Sequence, residues 1–148
     1  MNFKPPFILF MLTTLCWGEG IASEKVQVIY HIGTADPHQQ QAAILNIENH
    51  LVDIRAKQLL AKIKILMDRE GSLFFKRAAD EPQFRKQLVA LHQQGVQVLL
   101  EESALSAQEK SEYRQLINQL NVEWVDHAVL SLVNLQQQGY AYIPYVAR

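Results

Sequence analysis

The chain has 148 residues, a formal net charge of -1, 49% hydrophobic and 20% charged residues. That size and balance predict one compact domain and exclude a disordered or fibrous chain. Lys and Arg are scattered, with no basic run interleaved with aromatics, which argues against nucleic-acid binding.

Lys4, the apolar run over residues 7–17, and then Gly20, Ile21 and Ala22 read as a cleavable export signal over residues 1–23. The run falls short of the roughly 20 apolar residues that a membrane span needs. No later stretch reaches that length. Cleavage after Ala22 or Ser23 leaves residues 24–148 as a single periplasmic or secreted domain with no membrane span. Cys16, the only cysteine, leaves with the signal. Leu15 is bulky where lipoprotein processing needs a small residue, so a lipid anchor at Cys16 is not expected. The remaining chain is thiol-free, and its stability rests on packing alone.

Residues 25–33, rich in β-branched and aromatic side chains, predict a first strand. Asp36 as N-cap and Pro37 at the first helical position start a helix over residues 37–60, with Ile44, Ile47, Leu51 and Ile54 as its buried stripe. Residues 62–67 predict a second strand emptying into the polar turn Asp68, Arg69, Glu70, Gly71. A short helix over 73–78 follows. Asp80 then caps a longer helix whose Phe84, Leu88 and Leu91 face the core until Gly95 ends it. The third strand, from Gly95 toward Ser103, runs into Glu101 and Glu102. Ser106 and Glu109 form a capping box for a helix carrying Tyr113, Leu116, Ile117 and Leu120. A short strand over 122–125 comes next. Asp126 caps the last helix, with Val129, Leu132, Val133 and Leu135 facing the core, and Gly139 leads into a fifth strand over 140–144. Strands alternating with helices across short connections predict a three-layer α/β/α sandwich on a five-stranded parallel sheet.

Several segments carry a resemblance. The closing run Leu135-Gln136-Gln137-Gln138-Gly139-Tyr140-Ala141-Tyr142-Ile143 is the most specific. Val28-Ile29-Tyr30-His31, Asn46-Ile47-Glu48-Asn49-His50-Leu51 and Gly95-Val96 agree with it. In these the chain resembles the DsrE/DsrF-like sulfur-relay family, in its small exported branch. The resemblance implies the strand order 4-3-2-1-5 and a homo-oligomer. It also implies a cysteine just after the third strand, where a persulfide is built and passed on. Here that position is Glu101, and a carboxylate cannot carry sulfane sulfur. The second turn departs as well, with Asp68-Arg69-Glu70-Gly71 in place of His-Gly and a second glycine.

Ligands of parallel α/β sheets bind beyond the carboxyl ends of the strands. The chain offers Thr34, Asp36 and His38 there, with Asp68 and Arg69, then Glu101, Glu102 and Ser103, then Asp126 and His127. With strands two and three as neighbours, Asp68 approaches Glu101. Two close carboxylates can push one pKa upward and supply a general acid or a cation site, with His31 as a base. Solvated turn acids and a hydrogen-bonded core histidine are the plainer readings of the same residues. Thr34, Arg69 and Ser103 are ligand-binding candidates, and Asn46, Asn49 and His50 interface candidates on one side of the first helix. A zinc site from His31, Asp36 and His38 matches no dedicated spacing, so neither a metal nor another cofactor is expected. Trp124, Tyr140, Tyr142 and Tyr145 read as packing or interface aromatics. The functional expectation is an oligomeric binding or interaction module that has lost persulfide transfer, with a periplasmic protein or small molecule as partner. The alternative is an enzyme or metal-dependent site built on Asp68 and Glu101.

Overall fold

The computed structural model describes residues 25–146; the expected export signal and Cys16 lie outside the described residues. Within them the order is β1 (Lys25–Gly33), α1 (Pro37–Ala56), β2 (Leu60–Met67), α2 (Ser72–Asp80), α3 (Pro82–Gln93), β3 (Gln97–Glu101), α4 (Ala107–Glu112), α5 (Arg114–Gln119), β4 (Glu123–Val125), α6 (Ala128–Gln137) and β5 (Ala141–Val146). The five strands form one parallel sheet in the order β4-β3-β2-β1-β5. The expected sandwich is the observed architecture.

Side chains alternate across the sheet. Val28, Tyr30 and Ile32 of β1, Ile63, Ile65 and Met67 of β2, and Val98 and Leu100 of β3 point to one face. There they meet Ile44, Ile47, Leu51 and Ile54 of α1, Phe74 and Phe75 of α2, Phe84, Leu88 and Leu91 of α3, and Leu116 of α5. The opposite face holds a smaller cluster of Ile29, Leu66 and Leu99 under Ala128 and Leu135 of α6, with Tyr140 beside them. Neighbouring strands lie about 4.8 Å apart, and a helix is about 10 Å wide. One helix therefore covers about two strands of this face.

That asymmetry corrects the expected core of α6. Leu135 is buried and Leu132 packs against it, but Val129 is 72% exposed and Val133 43% exposed. Leu130, at 57%, joins them on the outer side. Other boundaries shift for local reasons. Asp80 belongs to the end of α2 and does not cap α3: Pro82 opens α3, and Glu81 before it is held extended at φ -101 and ψ 107. His127, and not Asp126, occupies the α6 N-cap, with no side-chain cap bond. The Ser106–Glu109 capping box forms as expected, yet the helix it starts breaks at Tyr113 into α4 and α5.

α1 ends at Ala56, short of the expected residue 60, because Gln58 takes the left-handed conformation at φ 56. Leu59 N-H donates to Ile54 O and Gln58 N-H to Arg55 O, at 3.0 and 2.9 Å, the bond pattern of a Schellman ending. Gly95 and Gly139 end α3 and α6 in the same way. At Gln58 no glycine relieves the left-handed penalty of about 1–2 kcal/mol. Gln58→Gly removes it at an entropic cost of about 0.5–1 kcal/mol. The substitution is expected to stabilise the fold by up to about 1 kcal/mol, read as a higher urea midpoint at unchanged slope.

Candidate functional site

β1 lies between β2 and β5, and this places His31 between two partners on the α6 side of the sheet. His31 Nε2 is 3.0 Å from Asp68 Oδ2, beyond the end of β2. His31 Nδ1 is 3.2 Å from the Tyr142 hydroxyl on β5. The other Asp68 oxygen, Oδ1, accepts the Gly71 N-H at 2.8 Å. A carboxylate only accepts, so Asp68 takes the proton carried on Nε2. In the neutral imidazole Nδ1 is then the lone-pair acceptor, and Tyr142 donates to it. The network assigns one direction to all these bonds, from Tyr142 through His31 to Asp68.

Two glycines hold the carboxylate in place. A Cβ on Gly33 would lie 2.6 Å from Asp68 Oδ2, and a Cβ on Gly71 would lie 1.8 Å from the Ile32 carbonyl oxygen. The turn after β2 keeps Gly71 because the backbone of β1 passes too close for any side chain. Burial alone would raise the Asp68 carboxyl, but the His31 hydrogen bond, the Gly71 N-H and the nearby imidazole outweigh it and hold the group below the usual carboxylate range. This is the opposite of the upward push that a second carboxylate would give. For Tyr142, burial and then the Asp68 charge raise the phenol.

Glu101 stands at the end of β3 with separate partners. Its Oε1 accepts the Ser103 hydroxyl at 2.8 Å, while the hydrogen bonds of Asp68 go to His31 and Gly71. No hydrogen bond links the two carboxylates. Thr34 is buried and local: its hydroxyl accepts the Asp36 N-H and its carbonyl accepts Gln40 Nε2. Asp36 caps α1 by accepting the His38 N-H at 2.9 Å, as its position beside Pro37 predicts. Arg69 is exposed, and its carbonyl accepts the Ser72 hydroxyl. Among the described residues no three His, Cys, Asp or Glu side chains converge as metal ligands would, so His31, Asp36 and His38 are not brought together.

The interface candidates occupy the other face. Tyr30 presents its hydroxyl to His50 Nδ1 at 3.0 Å and stacks on Tyr145, whose hydroxyl accepts Asn46 Nδ2. Asn46, Asn49 and His50 line a shallow depression of about 280 Å³ with Asp53 and Ile143. Burial, then the neighbouring Tyr145, pushes the Tyr30 phenol up to about 12. A larger depression, about 490 Å³, opens at the amino end of β3 beside Gly95 and Asn121. It lies at the opposite end of the sheet from His31 and Asp68.

Tyr142 is the site residue that sequence reading passed over. The signal was available: β5 beside β1 brings the last strand to His31, and Tyr142 shares the parity of the α6 side. Comparisons of the chain with protein-family models, curated proteins and solved structures found no match.

Because the folded-state pKa of Asp68 is lowered, the unfolded chain binds the proton more readily, and stability rises with pH through that window. The contribution is present above the ordinary carboxylate pKa of about 3.9 and is lost as pH falls below it. Denaturant unfolding of the wild type and Asp68→Asn should therefore differ at neutral pH and converge at strongly acid pH.

Proposed function

We propose that this chain is an exported, oligomeric binding or interaction module on a sulfur-relay-like fold that has no persulfide chemistry. The observation that carries the reading is the outer side of α6, where Val129, Leu130 and Val133 are 72%, 57% and 43% exposed. The helix sequence AVLSLVNLQQ has no charged residue. A second copy of the same surface meets it without like-charge repulsion, as a two-fold interface requires. The edges of the sheet suit association less well. β4 has only three residues, and Pro144 removes a backbone donor from the β5 edge.

Three further observations support the reading. The observed strand order is the one the family resemblance implies. Glu101 occupies the position where the resemblance implies the sulfur-carrying cysteine. Lys4 and the apolar run after it support export to the periplasm or outside the cell, where a protein or small-molecule partner would meet it. The purified chain of residues 24–148 is expected to elute as an oligomer in size-exclusion chromatography with light scattering. Leu130→Arg should shift it to monomer with little change in melting temperature. A monomeric wild type would refute the reading.

The His31–Asp68 hydrogen bond favours a second reading, an acid–base site at the carboxyl edge of the sheet. The carboxylate pair gives way here to a carboxylate–imidazole pair, with Glu101 outside it. On this reading Asp68→Asn lowers any hydrolytic activity found for the chain by about tenfold or more. Glu101→Ala leaves that activity within about twofold. The comparison is a kcat/KM measurement on both variants.

A further inference from the structure

We propose that Tyr142 is a base-activated nucleophile that accepts small acyl groups from activated esters, with His31 as its base and Asp68 as the residue that positions the base. The inference rests on the acid–base reading of the His31–Asp68 pair and adds the group that meets the substrate. Direction comes first. Asp68 is fixed from behind by the Gly71 N-H, takes Nε2-H of His31, and leaves Nδ1 to receive the Tyr142 proton. A hydroxyl, an imidazole and an orienting carboxylate linked in that order are the parts of a nucleophile and its base.

Exposure separates the nucleophile from its base. His31 is 8% exposed and sheltered from bulk water, whereas Tyr142 is 36% exposed, so a reagent reaches the tyrosine and not the imidazole. Tyr30 supplies the contrast, since it also meets a histidine nitrogen, that of His50 at 3.0 Å, but is only 2% exposed. The raised phenol of Tyr142 keeps its proton at neutral pH, so nucleophilic attack needs the base beside it.

In the step itself the Tyr142 oxygen attacks the acyl carbon and its proton moves to His31 Nδ1. The bond from the acyl carbon to the leaving oxygen breaks, and that oxygen departs with the electron pair. Attack of water on the acyl-tyrosine releases the acid and returns the proton to the tyrosine oxygen, while His31 gives its proton to solvent. No oxidant, reductant or further group is required.

The test uses the purified protein and p-nitrophenyl acetate. Peptide mass mapping over time gives the acetylation rate at each tyrosine, with Tyr113, which packs against Phe75, as the internal reference. Tyr142 should be acetylated about a hundredfold faster than Tyr113, the lower range of general-base contributions, and Tyr142→Phe should remove that adduct. His31→Gln should reduce the Tyr142 rate to the reference level. Asp68→Asn should slow it, and Asp68→Glu, which keeps the carboxylate, should restore part of the Tyr142 rate. A merely structural loss would not be rescued by the conservative variant. Equal rates at Tyr142 and Tyr113 in the wild type overturn the proposal without any variant. A far-downfield proton resonance, absent in His31→Gln, separates the two levels of the argument. With the resonance present and Tyr142 no faster, the nucleophile fails alone; with it absent, the acid–base pair fails too.

Discussion

The carboxyl edge of this sheet depends on one close approach, between the end of β1 and the turn that follows β2. A methyl group at Gly71 would sit 1.8 Å from the Ile32 carbonyl oxygen, so the two backbones pack with no space for a side chain. The Gly71 N-H is thereby presented to Asp68 Oδ1 at 2.8 Å, and the other oxygen of the same carboxylate is aimed at His31. Strand order does the rest. With β1 between β2 and β5, a histidine near the end of β1 has a neighbour on each side, and their spacing is fixed by the ladder rather than by flexible loops.

The second constraint is unequal cover. Among the described residues, four helices bury residues on one face of the sheet, and α6 is alone on the other. The heavily covered face holds the large side chains and supplies most of the apolar burial, which stabilises at roughly 25 cal/mol per Å². The lightly covered face keeps polar groups near the surface: Lys64 reaches Glu123 at 3.7 Å and lies over the Tyr140 ring. His31 and Tyr142 belong to this face. A core histidine under a second complete helical layer would have no reachable partner, so the sparse layer is what turns a buried hydrogen bond into an accessible chain of groups.

The fold was legible where punctuation and periodicity agreed. Asp36-Pro37, Ser106 with Glu109, Gly95 and Gly139 mark helix ends through mechanisms that act locally, and each does what its position predicts. Gln58 and Asn121 end helices through the same backbone bonds without glycine. Asparagine tolerates the left-handed turn, whereas glutamine carries no such preference, so residue type does not announce the end at Gln58. The α6 stripe misled because an apolar residue on a helix reads as core whether or not a layer exists to cover it. At the site, the turn acids and His31 stood out by type and position. Their pairing did not, because Asp68 could turn toward β3 or toward β1, and only the backbone contact at Gly71 decides for β1.

That choice bears on what chemistry the edge can hold. The family resemblance implies a nucleophilic sulfur at the end of β3, but Glu101 offers a carboxylate whose Oε1 already accepts the Ser103 hydroxyl. A carboxylate cannot form the sulfur-sulfur bond of a persulfide. Any nucleophilic chemistry at this edge would then come from another strand, and an alcohol or phenol needs a base within hydrogen-bond reach to act at neutral pH. Tyr142 has one in His31, held from the far side by a carboxylate whose own position is set by the backbone. On the proposal made above, the reactive position lies on β5 rather than at the end of β3, beside β1, the strand that carries the base.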